Sequence, residues 1–92
     1  MSQYKFEIKP LLEKKLAKIK KKDRTLFIAV REKIKEVIEN PQHYKPLRYD
    51  LKGLRRVHVK KSFVLVFEID EDGRIVRFLD LDHHDKIYKK KF

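Results

Sequence analysis

The sequence predicts an α+β domain in which a helical hairpin packs on one face of a four-stranded, mostly antiparallel sheet. Three observations predict it. Tyr4 to Lys9 alternates apolar and polar residues with a period of two. Residues 10–40 place apolar residues at helical spacing, in two blocks with a short break between them. Residues 55–82 return to strand patterning in three runs joined by short turns. With 92 residues there is room for a single domain, 1–92, and one small core.

Each element has its own reason. In Tyr4-Lys5-Phe6-Glu7-Ile8-Lys9, the side chains of Tyr4, Phe6 and Ile8 share a face, as in a half-buried strand. Pro10 suits the first turn of a helix, where its missing N–H costs nothing. Leu12, Leu16 and Ile19 follow at helical spacing, with lysines on the remaining faces. Asp23 is a good N-cap for a second helix, whose apolar stripe is Leu26, Phe27, Val30, Ile34, Val37 and Ile38. Asn40-Pro41 stops that helix, and the short spacer makes the pair an antiparallel hairpin. Residues 41–54, with two prolines and Gly53, read as a connecting loop.

From Arg55 to Lys60, Val57 and Val59 point one way, and Arg56, His58 and Lys60 the other. Ser62 to Ile69 is a nearly continuous apolar run, suited to a central strand covered on both faces. Asp70-Glu71-Asp72-Gly73 has turn composition. Arg74 to Asp82 is the last strand, with Ile75, Leu79 and Leu81 on one face and Val76, Phe78, Asp80 and Asp82 on the other. The tail from Asp85 to Phe92 has room for one helical turn. The order is strand, helix, helix, strand, strand, strand. The last three strands form an antiparallel meander, and the first adds to one edge. The face opposite the hairpin is expected to stay open, lined by Arg56, His58 and Lys60.

Composition narrows the function classes. Lys and Arg number 25 against 14 Asp and Glu, for a net charge of +11, and charged residues make up 42% of the chain, against about 25% in typical soluble domains. Such a charge on so small a body points to a polyanionic partner. Residues 41–63 are the densest basic segment, with seven basic groups and one acidic. No apolar stretch approaches the roughly 20 residues of a membrane span, and Met1 to Pro10 lacks the apolar core of a signal peptide. The absence of cysteine removes disulfides, thiolate zinc sites and cysteine nucleophiles. The expected location is the cytoplasm.

Three groups of residues can carry chemistry. The row Arg56/His58/Lys60 can set an imidazole beside a phosphate held by cations, or be a solvated strand face. Asp82-His83-His84-Asp85 with Tyr88 can do acid–base work, since His titrates near neutral pH and Tyr88 lies one helical turn beyond His84. It can equally be a polar strand end. No metal or other cofactor is expected there, because adjacent strand residues cannot face one ion. The lysines at 14, 15, 18 and 20–22 read as a solvated helix face that can also bind a nucleic-acid backbone. Tyr44, Tyr49, Phe63 and Tyr88 offer rings for base stacking.

The stretch Pro46-Leu47-Arg48-Tyr49-Asp50-Leu51-Lys52-Gly53 runs into Leu54-Arg55-Arg56-Val57-His58-Val59 and on through Lys60-Lys61-Ser62-Phe63-Val64-Leu65-Val66-Phe67. With the closing His84-x-x-x-Tyr88, it resembles the second half of RelE/ParE superfamily toxins, and especially the YafQ-like branch. The element order agrees over nearly the whole chain; the specific likeness lies in residues 46–88. The resemblance implies a ribosome-dependent mRNA interferase that cuts A-site mRNA without a metal, the ribose 2′-OH attacking the adjacent phosphate. It implies a cognate RelB/DinJ-like antitoxin, in a heterodimer or heterotetramer, and no membrane. On it, His58 and His84 become candidate base and acid, in roles that the sequence leaves exchangeable, and Tyr88 stands where the branch has Phe. Lys52, Arg55, Arg56, Lys60 and Lys61 become candidate phosphate-binding groups. Val64 falls where many RelE toxins carry a catalytic Arg, Ser62 where the branch has Asp, and Tyr49 near a His of the branch. Two other readings remain: a non-catalytic ParE-like toxin that binds a protein such as DNA gyrase, whose members usually lack the histidine pair, and a basic RNA-binding module without cleavage.

Overall fold

The computed structural model describes residues 4–48, 51–90 and 92; of Arg48, Leu51 and Lys52 the backbone alone is described. The elements are β1 (Lys5–Ile8), α1 (Pro10–Lys22), α2 (Arg24–Glu39), a 3-10 turn (Pro41–His43), β2 (Pro46–Arg48), β3 (Leu51–Val59), β4 (Phe63–Asp70), β5 (Ile75–His83) and α3 (His84–Ile87). Asp23 ends α1 and caps α2, accepting the Leu26 N–H on Oδ1 at 3.1 Å. The spatial strand order is β1-β5-β4-β3-β2. β1 runs parallel to β5, and the other pairs are antiparallel.

The sheet therefore has five strands, not four. The extra one, β2, lies inside the segment read as a loop, and β3 begins at Leu51, within that same segment. Pro46 concealed β2, yet proline is tolerated as the first residue of an edge strand, where no ladder donor is required. Pro46 pairs with Arg55.

The sheet has an apolar cluster on each face. Towards the hairpin, Leu12, Leu26, Val30, Ile34 and Val37 meet Val57, Val59, Leu65, Phe67, Val76, Phe78 and Leu81. On the other face, Val64 and Val66 pack with Leu47 and Ile87, edged by Leu54, Leu79 and Tyr88. β4 is covered on both faces as expected, with Val64 to Phe67 all fully buried.

The alternation of β5 departs from expectation. Pairing steps from Val66↔Asp80 to Phe67↔Phe78, so Leu79 is an extra residue and forms a bulge. The bulge switches faces: Val76, Phe78 and Leu81 join the hairpin side, and Leu79 the opposite cluster. Lys60 also departs. It sits past the end of β3 in the turn, with a left-handed φ of 56°, so the expected row of three cations is interrupted after His58.

Candidate active site

The open face is built from β3, the end of β5 and α3. On β3, the residues that alternate with Val57 and Val59 turn away from the hairpin, which places Arg56 and His58 on the open face. At the end of β5 the chain leaves the sheet. The His84 N–H donates to the Ser62 carbonyl at 2.7 Å, and α3 starts there. Ile87 is fully buried in the second cluster, which seats the turn on the sheet.

These anchors bring three rings together. The rings of His58 and His84 are stacked, 5.9 Å between centroids and 18° apart. The ring of Tyr88 lies 4.8 Å from that of His84. His84 Nδ1 is 3.6 Å from Asp85 Oδ1. Burial first, then the positive charges of Arg56 and His84, push the His58 pKa below the ordinary imidazole value. His58 is therefore a neutral acceptor at pH 7, with a second imidazole beside it.

Two clefts flank the rings. One, of about 380 Å³, is lined by Lys33, His43, Tyr44, Lys45, Arg56, Val57 and His58. On one side the Lys45 carbonyl accepts the Arg56 N–H at 3.0 Å, and α2 and the 3-10 turn contribute Lys33 and His43 to the wall. The other, of about 270 Å³, is lined by Lys61, Ser62, His83, His84 and Asp85.

The expected cations are divided among these places. Arg56 lies beside His58, and Lys61 beside His84. Arg55 has the parity of Val57 and belongs to the opposite face. Its guanidinium donates to the Tyr44 carbonyl at 2.6 Å and to Gln42 Oε1 at 3.3 Å, so it braces the loop and is not brought to the histidines. Lys60 is exposed in the turn. The side chain of Lys52 and all of Tyr49 lie outside the described residues. His83 faces the hairpin side, its ring 4.4 Å from that of Phe63. Asp82 and Asp80 pair with Val64 and Val66 and so lie on the side of the sheet opposite the hairpin, the side of His84, but their carboxylates are engaged by Lys15 and Lys90. Among the described residues no three His, Cys, Asp or Glu side chains converge as a metal shell requires.

The comparisons with known proteins decide the family. Residues 6–88 match the ParE toxin of the type II toxin–antitoxin system parDE. A protein of Methanocaldococcus jannaschii named "Putative toxin RelE4" is 51% identical over 88 residues, which cover 96% of this chain and 94% of that protein. The chain belongs to the RelE/ParE superfamily of type II toxins. Its fold is that of solved superfamily members. The toxin in the RelBE2 toxin–antitoxin complex of Mycobacterium tuberculosis superposes with a TM-score of 0.72 at 24% identity, covering 88% of this chain and 98% of that one. The DinJ–YafQ complex of Escherichia coli gives a TM-score of 0.74 at 18% identity, covering 94% and 99%. No described helix of this toxin is long and apolar enough to cross a membrane.

The toxin's first cleft contains residues that the sequence did not single out. His43, Lys33 and Lys45 join His58 there, from a turn, a helix and a loop with no common spacing. The available signal was position: His43 and Lys45 flank Tyr44, one of the rings considered for stacking.

Proposed function

We propose that this toxin is an mRNA endonuclease that acts on ribosome-bound message and is neutralised by a RelB/DinJ-like antitoxin. The observation that carries the reading is the stacked pair of His58 and His84, between a cleft lined by Lys33, Lys45 and Arg56 and a smaller one that holds Lys61. The chemistry needs no bound cofactor. Neutral His58 takes the proton of a ribose 2′-OH, and the 2′-oxygen forms a bond to the adjacent phosphorus. His84 gives a proton to the departing 5′-oxygen as the P–O5′ bond breaks. The products are a 2′,3′-cyclic phosphate and a 5′-OH. Arg56 and Lys61 stabilise the charge that builds on the phosphoryl oxygens, and the Tyr88 ring holds His84 in place. The depressed pKa of His58 favours it as the base, which leaves His84 as the acid.

The test is cleavage on ribosomes paused with a defined A-site codon. His58→Ala and His84→Ala are each expected to slow cutting by about 10²–10⁴-fold while the fold remains intact. Parental rates in both variants would remove the site. A second reading, a non-catalytic toxin that holds a protein target such as DNA gyrase, draws on the match to the ParE family. Following DNA supercoiling and mRNA integrity together after induction separates the two.

A further inference from the structure

Asp80 is the buried charged side chain among the described residues, 2% exposed. A carboxylate withdrawn from water is costly unless paired, and here two lysines pair it. Lys15 Nζ, from α1, is 2.6 Å from Oδ1, and Lys90 Nζ, from the tail behind α3, is 2.5 Å from Oδ2. Both lysines also reach Asp82 Oδ2, at 3.5 and 3.1 Å. Lys15 donates further to the Leu81 carbonyl at 3.2 Å, and the Leu81 N–H donates to Asp80 Oδ1 at 2.8 Å. The quartet has room because β1 pairs with β5 only as far as Phe78; beyond it no strand among the described residues covers the β5 edge.

Burial works against the Asp80 charge, but Lys15, Lys90 and the Leu81 N–H outweigh it and hold the carboxyl below the usual range. Burial likewise opposes the charge on Lys90, and the two carboxylates overcome it and hold Lys90 above the ordinary lysine value. Asp80, Asp82 and Lys90 therefore stay ionised around neutral pH.

What the quartet holds is the turn that carries the site. α3 has four residues, far too few to persist alone. Its start is tied to Ser62, and its last residue, Ile87, seats it in the second cluster. Its end is closed by the Lys89 and Lys90 N–H groups on the Lys86 and Ile87 carbonyls, both at 3.2 Å. Tyr88 lies between the apolar anchor at Ile87 and the ionic anchor at Lys90. Asp80 does not depend on Lys90 for a partner, because Lys15 and the Leu81 N–H remain without it. The second cation is thus surplus to burying the carboxylate, and what it alone connects to β5 is the tail.

We propose that Lys90 is a positioning residue, whose ion pairs with Asp80 and Asp82 fix the last turn so that His84 and Tyr88 are held against His58. The consequence for RNA cutting rests on the proposed function; the placement of the rings does not. The test is carried out on the folded full-length chain by NMR of the imidazole protons. In Lys90→Met the His84 ring signals are expected to lose their Tyr88 and His58 ring-current shifts. The His58 titration midpoint is expected to rise towards the ordinary imidazole value, and amide exchange at residues 87–90 to quicken about tenfold or more. Lys90→Arg is expected to keep the parental pattern. Asp82→Asn, which leaves Asp80 paired with both lysines, is expected to move the same signals by a smaller amount, and it carries the test if Lys90→Met fails to fold. Unchanged ring signals and titration in a folded Lys90→Met protein, or in Asp82→Asn if that stands in for it, would overturn the proposal, even if melting falls. On programmed ribosomes Lys90→Met is expected to lower kcat about tenfold with KM nearly unchanged. A parent that leaves message intact would overturn the cleavage reading alone, and the ring signals would still decide on Lys90.

Discussion

In the proposed reaction, His58 sets the pH behaviour of the site. Its pKa is pushed below the ordinary value by burial, then by Arg56 and His84. A base must be unprotonated, so the acidic limb of kcat/KM is expected to lie below about pH 6.5, the ordinary imidazole value. Arg56→Gln removes a positive neighbour, and the His58 midpoint, followed by NMR, is expected to rise. Stability follows the same sign: as pH falls from the ordinary value towards the folded one, the unfolded chain takes the proton first, and the His58 contribution to folding is lost. At this scale much was legible. Strand alternation put His58 opposite Val57 and Val59, and four-residue spacing put Tyr88 near His84. Lys15 was misread as one of the solvated lysines. It follows Leu12 by three and precedes Ile19 by four, so it lies on the buried stripe of α1 and reaches Asp80. Arg55 was misplaced because neighbouring arginines on a strand look alike in sequence but face opposite ways.

Among the elements, the helical hairpin was the most readable, because its caps and stripes are local. Asp23 is both the end of α1 and the N-cap of α2. Asp23→Ala is expected to cost about 1 kcal/mol and to lower the melting temperature by about 5 °C, measured by calorimetry on the isolated toxin. The sheet was harder. β2 is three residues long and opens with proline, so it offers no alternation to recognise. The bulge at Leu79 is invisible in Ile75-Val76-Arg77-Phe78-Leu79-Asp80-Leu81, since apolar residues there suit either face of the sheet. Only pairing with β4 decides which residue is extra. That one inserted residue carries Asp80 out of the expected pattern and towards the two lysines.

The whole molecule presents its charge unevenly. Much of the acidity of residues 64–82 is engaged internally: Asp80 and Asp82 with Lys15 and Lys90, and Glu68 and Asp70 with Arg77, which also holds Glu7. The cleft beside His58 keeps Lys33, Lys45 and Arg56 with no acidic residue in its lining, while the one beside His84 carries both Lys61 and Asp85. Within the +11 total, the field is therefore positive where a partner would meet the site. Association with an acidic antitoxin segment is expected to slow about tenfold or more as ionic strength rises from about 0.05 to about 0.5 M, measured by stopped-flow mixing. The parallel pairing of β1 with β5 has a consequence in time. Its contacts join residues as far as 70 apart, as Glu7 and Arg77 are, and such remote pairings form late. A nascent chain halted before β5 has an unclosed sheet and only one of the two imidazoles. On the proposed chemistry, such a truncated chain is expected to leave message intact.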